Sequence, residues 1–309
     1  MRAVRIHQYG GTETLQLDQV DTPVINADDI LIKVKSAAIN PVDWKIREGY
    51  LKDFIPYKLP VTLGWDVAGV VSEVGASVTD FKVGDEVFSR PDISRDGSYA
   101  DYIAVKADQA VLKSTKLDFA QAAALPLAGI TAWQCLVDVG QLQAGQRVLI
   151  HAGAGGVGHL AIQIAKAKGA AVIATASAAN QALLTQFGAD QAVDYNQGTL
   201  LEQIAPVDLI LDTLGGDVQE QSWALLKTGG MLVSVVAPPS EERAKENNVK
   251  VAFVFIEPSS PILRELNALV ESNQLIPFIE HRFPLEQIAQ AHLQSQSGRT
   301  RGKIVIDVS

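Results

Sequence analysis

The sequence predicts an α/β protein: a doubly wound parallel sheet with helices on both faces, beside a compact β-barrel-like domain. Three observations predict it. From Arg147 onward, short apolar strands alternate with helical stretches, the pattern of a parallel sheet. Earlier in the chain, many short β-like runs are broken by turn residues, the texture of a compact barrel. Between a strand and a helix, Val148–Gly158 reads Val-Leu-Ile-His-Ala-Gly-Ala-Gly-Gly-Val-Gly.

Taken in order, Met1–Ile6 lacks the apolar core of a signal peptide and reads as a first strand. Ile30–Val34 alternates apolar and polar residues, as a half-buried strand does. Val67–Val74 is an apolar run, Val83–Phe88 a turn entering a strand, and Tyr99–Val105 a further strand. Phe119–Val139 is rich in alanine and leucine and helical in pattern, with breaks expected near Pro126 and Gly129. Strand 147–150 is followed by a helix over His159–Lys168 and a strand over Ala171–Thr175. Helix Asn180–Phe187 ends at Gly188, where a C-terminal glycine belongs. Strands follow at Ala192–Tyr195, Val207–Leu211, Met231–Val236 and Val249–Phe255, the last as the outer strand. Helices are expected at Ile262–Glu271 and Leu285–Gln294. Lys303–Val308 is too isolated for the parallel sheet and is expected to return to the first domain.

The glycine stretch carries the chemistry. Gly153, Gly155 and Gly158 fit G-x-G-x-x-G inside a strand–helix–strand unit, the context the motif needs. One glycine makes the tight turn, one lets backbone approach a pyrophosphate, and one lets helix pack on strand. The helix N-terminus then offers free N–H groups and a positive dipole end to phosphate. Gly153, Ala154, Gly155, Gly156, Val157 and Gly158 are therefore candidate dinucleotide-binding residues. An acidic side chain about 20 residues after the glycines would hold the ribose 2′-OH of NAD. None stands at the end of strand 171–175, and the next is Asp190. Ser177, Asn180 and Tyr195 are neutral donors for a 2′-phosphate, which makes NADPH the expected cofactor although no Arg or Lys follows the strand. Ser177 and Asn180 also suit a cap on the next helix. Leu214, Gly215, Val236 and Phe255, near the ends of later strands, complete the cofactor candidates.

The bulk composition sets bounds. The chain has 309 residues, 47% hydrophobic and 20% charged, as soluble globular proteins do. A formal net charge of −9 argues against nucleic-acid and anionic-membrane partners. There is no long uninterrupted apolar run. One cysteine, Cys135, excludes an intrachain disulfide, and the expected compartment is the cytoplasm.

Several stretches together resemble the zinc-free quinone oxidoreductase branch of the medium-chain dehydrogenase/reductase superfamily. They are Asn40–Asp43, Leu63–Val71, Gly97–Tyr102, Ala128–Trp133, the glycine stretch, Gly188–Asp190 and Arg301–Val305. The resemblance implies a GroES-like catalytic domain over 1–123, completed by 259–309, and a Rossmann dinucleotide-binding domain over 124–258. It places the active site in the cleft between them. Trp65 stands where zinc enzymes of the superfamily carry the histidine of a Gly-His-Glu motif. The five histidines are scattered and Cys135 lies in a helical run, so no metal site is expected. His151 reads as structural.

Without zinc to polarise an alcohol oxygen, hydride transfer from NADPH to an already electrophilic acceptor remains. Quinones and α,β-unsaturated carbonyls qualify, because the product charge is delocalised. Lys45 is a candidate for holding the acceptor oxygen or the nicotinamide ribose. Some related enone reductases carry lysine in the same Asn-Pro-Val-Asp-x-Lys context. Asn40 and Asp43 match the family motif, as catalytic or loop-holding residues. Tyr50, Tyr57 and Trp65 are candidates to line the acceptor pocket or to serve as core. Thr131 resembles a family position beside the nicotinamide. The final proton is assigned to water. Val249–Phe255 is a β-prone edge, and both it and the family pattern imply a homodimer. The alternative is a non-catalytic NADPH-binding protein of the same fold, structural or regulatory.

Overall fold

The computed structural model describes all residues, Met1–Ser309. Its first strands are β1 (Arg2–Ile6), β2 (Leu15–Gln19), β3 (Asp29–Ile39), β4 (Val61–Thr62), β5 (Val67–Val74), β6 (Glu86–Ser89), β7 (Tyr102–Lys106) and β8 (Ala110–Leu112). Then come β9 (Arg147–Ile150), β10 (Ala171–Ala176), β11 (Gln191–Asp194), β12 (Val207–Asp212), β13 (Leu226–Ser234) and β14 (Lys250–Phe253). The chain closes with β15 (Ile279–Pro284) and β16 (Lys303–Asp307). Two compact units emerge. The first holds Met1–Leu127, Glu257–Glu271 and Pro277–Ser309; the second holds Ala128–Ile256 and Ser272–Ile276. No helix is long and apolar enough to cross a membrane.

The first unit is a twisted β structure. Its large sheet runs β15-β16-β3-β5-β6-β8, with β7 also paired to β3, and a small sheet runs β2-β1-β4. The long strand β3 is the centre, because β5, β7 and β16 all hydrogen-bond to it. The final strand β16 lies antiparallel on β3, with Ile304 opposite Ile39 and Val305 opposite Ala38. Val4, Ile6, Ile32, Val34, Val67, Val87, Ile103 and Ile306 fill the core between these strands. Tyr102–Lys106 starts later than the expected 99–105. Tyr99 is spent instead on the core, and its N–H reaches back to Leu63.

The second unit is the parallel sheet, in order β11-β10-β9-β12-β13-β14. From β9 the chain winds outward to β11, then returns to the other side of β9 at β12. This reversal makes the carboxyl ends of β9 and β12 the switch point where such sheets bind ligands. Val148, Leu149 and Ile150 are wholly buried, as a strand covered on both faces requires. The outer strand is β14, which ends at Phe253, short of the expected Phe255.

The alanine-rich stretch differs from expectation in one respect. It divides into α1-independent pieces at the proline: Phe119–Ala123 and Pro126–Trp133. The second begins on Pro126, a residue suited to a first helical turn. It then passes through Gly129 without a break, carried by the buried Ala128, Ile130 and Ala132. Gln134–Val139 continues as a π-helical turn.

Candidate functional site

The dinucleotide site is built from glycine contacts. Helix Gly158–Ala167 starts immediately after the turn that leaves β9. A Cβ on Gly158 would overlap the carbonyl oxygen of Ala152 and stand 2.7 Å from the Cα of Gly153. A Cβ on Gly153 would stand 2.8 Å from both the Ala174 methyl on β10 and a Leu184 methyl. These two glycines therefore let helix, turn and sheet close on one another. Gly155 is different: a Cβ there would meet only the Ala152 oxygen, at 3.2 Å. Gly155, Gly156 and Val157 are partly exposed, and Ala154 is buried. The first N–H groups of a helix have no intrahelical acceptor, so this turn presents donors to an anion.

Buried polar groups fix the neighbouring strand ends. His151 follows β9 and is 1% exposed. Its Nε2 lies 3.0 Å from Ser222 Oγ, whose own proton goes to the Val218 carbonyl. Nε2 must then donate, and Nδ1 accepts from the Thr175 hydroxyl at 3.2 Å. Burial pushes this imidazole down to about 4, so it is neutral and structural. At the end of β12, the buried Asp212 accepts from the Leu214 and Gly215 amides at 2.9 and 2.8 Å. It also accepts from Gln219 and Ser234. Gly215 has φ +70°, a turn that favours glycine.

At the end of β10, Ser177 precedes a short turn over Ala178–Asn180. Asn180 Nδ2 donates to Ser177 Oγ at 3.4 Å, so these two neutral groups adjoin. No cation stands between Ala176 and Gln186. Beside them β11 brings Asp194 into register with Ala176. The Asp194 carboxylate is turned into its own loop by Asn196 and Gln197. Tyr195, Leu214, Val236 and Phe255 are 53%, 49%, 40% and 57% exposed, accessible as ligand-facing positions must be. Thr131 is buried in helix 126–133.

The first unit gathers its candidates into one buried network. Helix α1 (Pro41–Arg47) begins at Asn40, and Asp43 closes a capping box by accepting from the Asn40 amide at 2.7 Å. Asp43 Oδ2 also accepts from the Tyr99 hydroxyl at 2.6 Å, while Oδ1 has no partner. Asn40 Nδ2 donates to Asp66 at 2.8 Å, and Lys303 from β16 donates to Asn40 Oδ1 at 2.5 Å and to Asp66 at 3.2 Å. Asp66 further accepts from the Leu127 amide. Burial, the largest effect, pushes Asp43 up to about 7 against the pull of Tyr99 and the Asn40 amide. Burial also raises Asp66, opposed chiefly by Lys303. Asn40 and Asp43 thus hold the α1 loop to the barrel. Asp66, Tyr99 and Lys303 were not singled out from the sequence. Yet each lies in one of the stretches that carry the family resemblance.

The other candidates separate. Lys45 is half-buried, with its ammonium 5.8 Å from the centre of the Trp44 ring and no carboxylate partner. Tyr50 is 66% exposed. Trp65 corrects its placing among pocket-lining residues. It is fully buried, stacks on Tyr57 at 6.0 Å and donates to the Arg95 carbonyl, because the barrel core consumes its ring.

This pairing of a β unit with a dinucleotide-type parallel sheet defines a two-unit dehydrogenase/reductase. Two family models match the chain. One is described as an alcohol dehydrogenase GroES-like domain, over residues 26–115, and one as a zinc-binding dehydrogenase, over 187–306. The chain is 37% identical to an NADPH-dependent alkenal/one oxidoreductase, chloroplastic, of Arabidopsis thaliana, covering 99% of this chain and 79% of that protein. It is 35% identical to a quinone oxidoreductase of Pongo abelii, covering 99% and 97%. The solved quinone oxidoreductase of Coxiella burnetii superposes with a TM-score of 0.94 at 38% identity, covering 100% and 99%. The chain belongs to the medium-chain dehydrogenase/reductase superfamily, in its zinc-free quinone oxidoreductase branch.

Asp43 makes the stability of the first unit pH-dependent. Its folded pKa, about 7, lies above the roughly 3.9 of an unfolded carboxyl. The stabilisation is complete below about pH 4 and is lost as pH rises through 7. Chemical denaturation should show wild type losing about 1 kcal/mol between pH 6 and 8 relative to Asp43→Asn. Parallel pH profiles for the two proteins would contradict this assignment.

Proposed function

We propose that this protein is an NADPH-dependent reductase of quinones or α,β-unsaturated carbonyls that works without zinc. The observation that carries the reading is the glycine cradle between β9 and its helix, closed by Gly153 and Gly158 and open at Gly155. Reduced nicotinamide supplies a hydride when bound. The exposed turn 155–157 would hold the pyrophosphate by backbone N–H groups. Ser177 and Asn180 would donate to a 2′-phosphate, and no fixed carboxylate between Ala176 and Gln186 would repel it. The alkenal/one relative, named as NADPH-dependent, supports that choice.

Lys45 would stabilise negative charge on the acceptor oxygen as a positioned donor. No group of three or more His, Cys, Asp or Glu side chains is placed to hold a metal ion. An acceptor that is already electrophilic fits such a donor set. The single buried thiol, Cys135, and the acidic balance accord with the cytoplasm.

The test is NADPH oxidation with a panel of quinones and alkenals, beside NADPH binding by fluorescence. Turnover should exceed that with NADH, and Ser177→Asp should lower kcat/KM with NADPH more than with NADH. Binding without turnover on any acceptor would favour a non-catalytic NADPH-binding protein instead.

The same reading makes the chain a homodimer. β14 is the outer strand, its free edge invites pairing, and Phe253 beside it is 42% exposed. Light scattering at micromolar concentration should give twice the chain mass, 33.1 kDa. A monomer would refute the pairing.

A further inference from the structure

Three buried or partly buried cations of the first unit are matched. Arg47 bonds to Gly10, Glu48, Gln296 and His292. Lys303 bonds to Asn40 and Asp66. Arg95 makes a two-pronged pair with Asp29 at 2.8 and 2.9 Å. Arg90 is the exception. It is 2% exposed, and of its five N–H donors one is used, from Nη1 to the Pro91 carbonyl at 3.1 Å. Nε is buried with no partner, and no carboxylate lies within ion-pair distance. A buried charge left in this state is costly, and such a group calls for a missing partner.

The placement is held, not accidental. Arg90 directly follows β6, and Ser89 before it and Asp92 two residues after it are both tied to Gln109. The Ser89 hydroxyl donates to its backbone carbonyl at 2.7 Å, and the Asp92 amide donates to its side chain at 3.0 Å. The acidic groups that act on the guanidinium electrostatically are Asp66, Asp92, Tyr57 and Asp43. Asp66 is already engaged by Lys303, Asn40 and Leu127, and Asp92 by Ser94. The Tyr57 hydroxyl is engaged by Ile93. Asp43 Oδ1 is also buried without a partner, yet it does not pair with Arg90. A guanidinium with unused N–H donors suits an oxygen that carries negative charge.

We propose that Arg90 binds the acceptor oxygen of the reduction and holds its negative charge. This rests on the acceptor class proposed above. When hydride adds to a carbon of an enone or quinone, an electron pair moves onto the carbonyl oxygen. That oxygen would accept from Arg90 until a proton from water completes the enol or hydroquinone. Lys45 is partly exposed and so screened by solvent, whereas Arg90 is buried.

The experiment compares wild type, Arg90→Met and Arg90→Lys, with acetate as the oxyanion probe. Acetate at constant ionic strength should raise the melting temperature of wild type saturably, leave Arg90→Met unmoved, and act partially on Arg90→Lys. Arg90→Met should lower kcat with benzoquinone or acrolein by about 10²–10³, the cost of one lost oxyanion donor. NADPH affinity should change less than about twofold. A merely structural Arg90 would give no acetate shift in wild type, and that result overturns the proposal whatever the turnover. So does an Arg90→Met protein with wild-type kcat. If Arg90→Met does not fold, Arg90→Lys decides, since its acetate response must weaken. Acetate binding in a wild type that reduces no acceptor would leave the Arg90 site standing and remove the proposed function instead.

Discussion

The contact of Gly158 with the backbone of Ala152 and Gly153 is the constraint on which the nucleotide unit depends. It allows a helix to start within one turn of the strand it follows. The first N–H groups of that helix are therefore delivered to the carboxyl edge of the sheet, where the strand order reverses. Everything else at this edge is arranged around that approach. His151 is kept neutral and locked between Thr175 and Ser222, and Asp212 secures the next strand end by four hydrogen bonds. Rigid strand ends carry the exposed positions, so a ligand there would meet a preformed surface.

The barrel unit solves a different problem. It buries charge, and it does so mostly by pairing. Lys303 arrives from the far end of the chain and compensates Asp66, while Asn40 links that pair to the start of α1. A buried pair of this kind contributes little net stability against an apolar alternative, but breaking it is costly. Its effect is to fix the loop that carries Asp43 and Lys45. Against this background of paired charges, the unmatched Arg90 and Asp43 Oδ1 stand out as groups not explained by folding alone.

The parallel sheet was legible in the sequence because its strands are continuous apolar runs with glycines at the turns. Val207–Leu211 falls one residue short of β12, and in the first unit Val67–Val74 matches β5 residue for residue. Where the reading slipped, the cause was local. Gly129 did not end its helix, since buried Ala128, Ile130 and Ala132 outweigh one glycine's preference. Phe255 fell outside the edge strand because β14 pairs on one side only, and its last hydrogen bond to β13 runs from the Val254 amide to Ser234. The glycine cradle was readable from spacing. The network that joins Asp66, Tyr99 and Lys303 to Asp43, and the unpaired Arg90, were not, because these residues come from distant segments and each looks like an ordinary polar residue in sequence. Trp65 shows the same limit in reverse: an aromatic residue's type does not say whether its ring faces a ligand or the core.

The most direct test of the account is NADPH affinity, by fluorescence titration, in wild type and Gly155→Ala. Unlike one on Gly153 or Gly158, a methyl group on Gly155 would meet only the Ala152 oxygen, at 3.2 Å, a contact that a shift of a few tenths of an ångström relieves, so the variant should stay folded. That methyl group would stand where backbone must approach pyrophosphate. The account predicts binding weakened by more than about tenfold, or 1.4 kcal/mol, with the fold intact. Unchanged affinity in the folded variant would contradict it.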